Sequence, residues 1–194
     1  GFFNTGSNVN NSLTFSTGTQ KHQTYFSAAT TNARNILPNS GYNRYNFTFR
    51  DVTKFLKDKL TVDLSASYIL QDNKNMIAAG KYFNPLPALY LFPRGDDFDN
   101  VRLYQRWDES RNLYTQAWDY GSGDMSFQNP YWIMNKMINQ TKKRRYMLSA
   151  NLKYDVTDWL DVTGRVKVDN ADMDITEKRY AGTDTNFAGE KGMY

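Results

Sequence analysis

The sequence contains no cysteine and one histidine. Without cysteine, neither a disulfide frame nor a thiolate metal site can form. His22 is the sole imidazole, so a histidine-based catalytic triad has no second candidate, and no glycine-rich phosphate loop is present. The expectation is a protein that is not an enzyme and carries no cofactor. No run of about 18 apolar residues occurs, which excludes a transmembrane helix. The opening "GFFNTGSNVN" has neither the basic start nor the apolar stretch of a signal peptide. Either the protein is cytoplasmic or residue 1 lies inside a longer polypeptide. The net charge of +4 is modest and spread among both signs, a weak basis for nucleic acid, which is not expected as a partner.

What is present is unbalanced. Only 40% of residues are hydrophobic, yet 15% are aromatic, with 14 Tyr and 12 Phe. Soluble cores are built mainly on Leu, Ile and Val, whereas membrane barrels use Tyr, Phe and Trp as interfacial girdles. The mean hydropathy of −0.73 is no objection to a transmembrane barrel, because each lipid-facing residue alternates with a polar one. With 194 residues the chain is long enough for one ordinary domain.

Residues 59–70, "KLTVDLSASYIL", set the pattern. Leu60, Val62, Leu64, Ala66, Tyr68 and Leu70 alternate with Thr61, Asp63, Ser65, Ser67 and Ile69, the period of a strand with two unlike faces. The same period predicts strands over 12–18, 24–31, 44–53, 60–71, 145–155 and 160–171. The facing of the second is ambiguous, because Tyr25 and Phe26 are adjacent. Tight turns are expected at 18–23 (which holds His22), 54–59 and 156–159, and a loop at "NARNILPNSGY". Each strand has roughly 8–12 residues, against the 9–11 that cross a bilayer at a tilt and the 5–6 usual in globular sheets. One rim then carries tight turns and the other long connections, as in outer-membrane barrels. The expected fold is all-β: about six strands of a large antiparallel transmembrane barrel, apolar face outward. Leu64, Leu148 and Val166 should point away from the lumen.

Residues 72–143 lose the alternation and hold four of the five prolines. They read as one long extracellular loop. Asn129 as N-cap with Pro130 at the first helical position predicts a short helix near 130–138, with Trp132, Ile133 and Met137 turned inward.

The run "NSLTFSTGTQKHQTYFSAATTNARNILPNSGYNRYNFTFR", with "KLTVDLSASY", "NPLPALYLFPR", "QNPYWIMNK" and "LKYDVTDWLDVTGRVKVDN", resembles the SusC/RagA family of TonB-dependent outer-membrane transporters. "GTQKHQ" departs by carrying one glycine where the family often has two. The likeness covers nearly the whole chain, in order, and corresponds to the early barrel region. It implies a 22-stranded plugged barrel in the outer membrane of a Gram-negative bacterium, with the plug domain outside these residues. It also implies TonB-energised import of large nutrients, glycan oligosaccharides or peptides, beneath a SusD-like surface lipoprotein acting as a lid. TonB would act through the plug, and outer-membrane lipid would surround the wall. Six strands cannot close so wide a barrel, and open edges are not tolerated in lipid, so a larger protein is expected.

The long loop holds the candidate contacts. Arg94, Arg102, Tyr104, Trp107, Trp118, Tyr131 and Trp132 place flat rings beside planar hydrogen-bonding groups, a combination suited to sugar rings. The plainer alternative is that the aromatics form the loop's own small core or meet the lid. Asp96, Asp97 and Asp99 form a weak candidate for a hard cation, without the spacing or distal Glu of an EF-hand. "TKKRRY" reads as a basic strand entry, either a solvated edge or a contact with lipid phosphates. Two further functions compete with transport by the plugged barrel: a passive outer-membrane porin, and a soluble carbohydrate-binding β-sandwich.

Overall fold

The computed structural model describes residues 1–120 and 127–194. The chain opens with four long strands, β1 (Ser7–Gly18), β2 (His22–Arg34), β3 (Gly41–Phe55) and β4 (Leu60–Lys74). The connection that follows contains α1 (Pro85–Tyr90), α2 (Asp99–Arg102), a small hairpin of β5 (Gln105–Asp108) and β6 (Leu113–Gln116), and α3 (Pro130–Lys136). Strands β7 (Met137–Thr157) and β8 (Leu160–Arg179) return, and α4 (Thr185–Ala188) lies in the tail. The long strands form one antiparallel meander in the order β1-β2-β3-β4-β7-β8. All six expected strands are present, so the fold is mostly antiparallel β. The sheet is not closed into a barrel.

The strands outrun the alternation that announced them. β4 continues to Lys74 and β7 begins at Met137, so the long connection is 75–136 rather than 72–143. The added ladder is polar: Gln140 donates to Asp72 at 2.8 and 3.0 Å, and Arg144 reaches Asp172 and Asp174 at 2.7 and 3.0 Å. Backbone pairing needs no apolar face, so it persists where the period has lost its hydrophobic half. For the same reason "TKKRRY" lies within β7 instead of at its entry. His22 begins β2 instead of sitting in the turn. The β3–β4 turn is left-handed, with positive φ at Leu56, Lys57 and Asp58.

Register assigns every side chain to a face. One cross-sheet row runs Phe15–Phe26–Phe49–Ala66–Leu148–Val168, wholly apolar; its neighbour on the other face runs Ser16–Tyr25–Arg50–Ser65–Ser149–Lys167. The ambiguity of the second strand is thereby resolved, with Phe26 on the apolar face and Tyr25 on the polar one. A broad recess lies on the polar face, lined by Thr48, Arg50, Asp63, Ser65, Ser149 and Lys167. The sheet is therefore concave on its polar side, and Leu64, Leu148 and Val166 occupy the opposite side.

The apolar residues make a belt that crosses the rows obliquely. Its limits are Val9 and Phe15 on β1, Leu60 and Leu70 on β4, and Leu160 and Val168 on β8. Through the register Val168 is level with Phe15, so the top of the belt on β8 aligns with its bottom on β1. The upper edge drifts about six residues over five pairings, which at about 3.3 Å per residue and about 4.8 Å between strands is an inclination of roughly 40°.

The buried core is not in this sheet. Belt residues stay open, with Phe15 at 58%, Leu148 at 47% and Val166 at 66% exposure. The buried apolar cluster is Phe2, Leu37, Trp132, Ile133, Met134 and Met137. It belongs to a cap on the rim opposite the tight turns, assembled from residues 1–4, 35–40, 75–120, 127–136 and 180–194.

Candidate functional site

The cap is organised by Asn129, which is fully buried. Its Oδ1 accepts from the backbone N–H of Tyr131 and Trp132, the N-cap arrangement that the Asn-Pro pair foretold. Its Nδ2 donates to the carbonyls of Val101 and Ala117 at 2.8 and 3.0 Å, and its own N–H reaches Gln116 Oε1 at 2.7 Å. One side chain thus fixes α3 against α2 and the end of β6. A second asparagine, Asn75, fixes the foot of the cap: its Nδ2 donates to the carbonyls of Asn39 and Met134, and its Oδ1 accepts from Asn139 N–H.

The sequence-derived site residues divide by burial. Trp132 is 0% exposed and donates Nε1–H to Thr183 Oγ1 at 3.0 Å. Tyr131 packs edge-on against Phe2 and donates its hydroxyl to Gly1 O, while Tyr104 packs on the same cluster. These three make the cap's own core and present little ring face to a ligand. Trp118 is half-buried against Tyr120, and its Nε1 is buried without a hydrogen-bond partner among the described residues. Removal from water pushes the Tyr120 hydroxyl up, and the carboxylates of Asp96, Asp119 and Asp97 act in the same direction. Trp107 is 50% exposed on the β5–β6 hairpin and packs edge-on with its cross-strand partner Tyr114, 52% exposed. Arg94 is exposed, and Arg102 pairs with Asp99 at 3.2 Å on the surface. Of the expected set Trp107, Arg94 and Arg102 are therefore exposed, with Tyr114 beside Trp107.

The aspartates do not gather round a cation. Asp97 Oδ1 accepts from Asp99 N–H, Asp99 faces Arg102, and Asp96 lies by Tyr120. Short carboxylates are used up locally in turns and helix starts. Among the described residues no three carboxylate or imidazole side chains converge in a way that could hold a metal.

Residues that sequence reasoning passed over complete the cap. Phe2 and Leu37 plug it from distant loops, and Thr183 Oγ1 accepts the hydrogen bond from Trp132 Nε1–H. Gly182, at φ +96°, lets its carbonyl accept from Gln116 N–H; a Cβ there would collide with the Tyr114 carbonyl. No periodic signal marks such contacts, because each joins segments far apart in the chain.

The hairpin turn carries a testable electrostatic feature. Asp108 accepts hydrogen bonds from Ser110 Oγ at 2.6 Å and from the N–H groups of Ser110 and Arg111. The Ser110 hydroxyl, then these backbone donors and the Arg111 charge, hold the Asp108 carboxyl below its ordinary value. A depressed carboxylate stabilises the turn above its unfolded pKa, and that contribution is lost as pH falls through the lower, folded value. The Trp107 emission should therefore shift in acid below the ordinary carboxylate range, and Asp108→Asn should remove that transition. An acid transition that survives in the variant would assign it to another group.

No protein-family model matches the chain, and no curated protein sequence is significantly similar to it.

Proposed function

We propose that this chain forms wall and mouth of a TonB-dependent outer-membrane transporter of the SusC/RagA kind. On this reading it imports large nutrients, glycan oligosaccharides or peptides, in a Gram-negative bacterium. The observation that carries the reading is the oblique apolar belt on the convex face of a sheet whose concave face is polar. A belt level with a membrane must cross the rows at the strand tilt, and its inclination of roughly 40° falls within the 35–45° of transmembrane barrels. It spans six residue steps on β1, eight on β8 and ten on β4, where about 33 Å of strand is roughly 25 Å of height at that tilt, the thickness expected of the apolar band. A soluble sandwich would instead cover these residues with a second sheet. Among the described residues the only other sheet is the β5–β6 hairpin in the cap.

The cap supports the mouth assignment. All its segments rise from one rim, whereas the opposite rim has turns of two to four residues. Its exposed Trp107–Tyr114 pair and Arg94 and Arg102 are the surface offered to substrate or to a SusD-like lid. TonB acts through a plug outside these residues.

Orientation is testable because these residues contain no cysteine. In intact cells making the full-length protein, Asn112→Cys should react with an impermeant maleimide, and Lys57→Cys should react only after the outer membrane is opened. The reverse pattern would invert the assignment, and labelling of neither in intact cells, with the protein recovered in a detergent-free soluble fraction, would remove it. Trp107→Ala should slow uptake severalfold while the assembled protein remains at its normal level. Unchanged uptake would confine the hairpin to a structural part.

A further inference from the structure

A second hollow lies on the convex face, against the upper edge of the apolar belt. Its volume of about 480 Å³ falls within the roughly 300–1,000 Å³ usual for small-molecule sites. Register places its floor on the belt's own side of the sheet. The rows Arg34–Gly41–Lys74–Gln140 and Asn32–Asn43–Asp72 share the facing of Phe26, Phe49 and Ala66. The β2–β3 loop and residues 4 and 5 complete its wall. In the row beneath, Tyr45 and Leu70 are partners and are the highest belt residues on β3 and β4. Tyr45 accepts a hydrogen bond at its hydroxyl from Asn32 Nδ2 at 3.4 Å, and tyrosine at that level is the residue type of a membrane interface.

The lining is built for an anion. Arg34 and Lys74 flank Gly41 in one row, two strand spacings or about 9.6 Å apart at the backbone. Gly41 carries no side chain, so the space between the two cations stays open. Neither cation has an ion pair among the described residues. Lys74 Nζ donates to Asn39 Oδ1 at 2.8 Å, and Asn39 Nδ2 is tied in turn to Met134 O at 2.9 Å. The ammonium is thereby held beside the loop that joins Arg34 to Gly41, with two of its three donors left over. The one carboxylate of the lining, Asp72, accepts from Gln140 Nε2 through both oxygens. Asn43 Oδ1 accepts from Asn32 at 2.8 Å, and the Asn43 amide donors have no partner among the described residues. Two cations and amide donors round an open seat suit an anion with several acceptor oxygens.

We infer that this hollow seats the phosphate of a lipid headgroup, a phosphorylated sugar, over Gly41 between Arg34 and Lys74. The sugar hydroxyls meet Asn43 and Gln140, and the acyl chains run down the belt past Tyr45 and Leu70. The inference rests on the transporter reading, which puts lipid against this face, and adds which headgroup the face selects. Continuity with the belt favours a lipid over a free sugar phosphate, because a soluble anion gains nothing from the apolar residues beneath.

The test uses the full-length protein in detergent, with lipid A, an acylated and phosphorylated diglucosamine, as probe. Phosphatidylcholine, whose phosphate is masked by choline, is the control, and native mass spectrometry counts the bound lipid. Lipid A should bind about tenfold tighter than phosphatidylcholine, and the gap should shrink as ammonium acetate is raised. The double variant Arg34→Gln/Lys74→Gln should weaken lipid A about threefold to tenfold, the scale of two partly exposed ion pairs, and leave phosphatidylcholine unchanged. Arg34→Gln alone, at an exposed side chain with no hydrogen bond among the described residues, should give part of that loss without touching the fold. Glucosamine 6-phosphate at the same concentration should not displace lipid A. Equal binding of the two lipids, indifference of lipid A to the double variant, or displacement by the soluble sugar phosphate overturns the inference. The maleimide pattern on cells is read separately, so a protein that is correctly oriented in the outer membrane and indifferent to headgroup phosphate loses only this inference.

Discussion

Leu148→Arg should sharply reduce assembly of the full-length protein into membranes, and Met147→Arg, one residue earlier, should be tolerated. Leu148 sits in the apolar row with Phe49, Ala66 and Val168, on the convex face. In lipid an arginine near the middle of that belt costs about 2–4 kcal/mol, a factor of roughly 30 to 1,000 in the folded fraction. Met147 points the other way, into the recess and beside Asp169 in its row, where a guanidinium meets water and a carboxylate. Both substitutions place the same side chain in the same strand, so propensity and size cancel in the comparison. The measurement is the urea midpoint for folding into vesicles. Equal midpoints would mean that neither face meets lipid; a larger loss for Met147→Arg would turn the sheet inside out.

The second large effect is expected at Trp132. Its ring is fully buried among Phe2, Leu37, Ile133 and Met134, with Tyr104 edge-on to it. Truncation to alanine removes the largest side chain of the cluster and should cost the cap about 3–5 kcal/mol. It also strands the Thr183 hydroxyl, which is 1% exposed. Because Phe2, Leu37 and Thr183 bring three other segments onto Trp132, hydrogen exchange should speed up together in residues 1–4, 35–40, 75–120, 127–136 and 180–194. The β3–β4 ladder, which shares none of this core, should keep its protection. Trp132→Phe keeps most of the packing and loses the Nε1–H bond, so about 1–3 kcal/mol is expected for the unpaired buried hydroxyl. Exchange confined to α3 would show that the segments do not act as one cap. Loss of protection throughout the sheet would show that the cap holds the strands.

The six long strands were legible because a two-residue period is local: "KLTVDLSASYIL" determines its own faces whatever surrounds it. Strand ends were less legible. The ladder beyond Leu70 and before Arg144 runs on polar pairs such as Asp72 with Gln140, and these carry no hydrophobic period. Helix α3 was legible from Asn129 and Pro130, since a cap acts within three residues of itself. That same side chain also bridges Val101 and Ala117, which nothing in its neighbourhood could announce.

Candidate residues followed the same division. An aromatic in a long connection can be core or contact surface, and composition is identical in the two cases. Burial decided it: Trp132, Tyr131 and Tyr104 went inward, Trp107 stayed out with Tyr114, and Trp118 lies between. The aspartates of "GDDFDN" were spent on a helix start, a surface pair with Arg102 and the neighbourhood of Tyr120. The sequence by itself determined which residues alternate, and hence that the sheet has one apolar and one polar face. Only the tertiary structure decided which face is concave, how far the belt slips from strand to strand, and that Arg50 meets Asp63 and Arg145 meets Asp169 across neighbouring strands. Alternation depends on neighbours along the chain; curvature, register and ion pairing depend on neighbours across it.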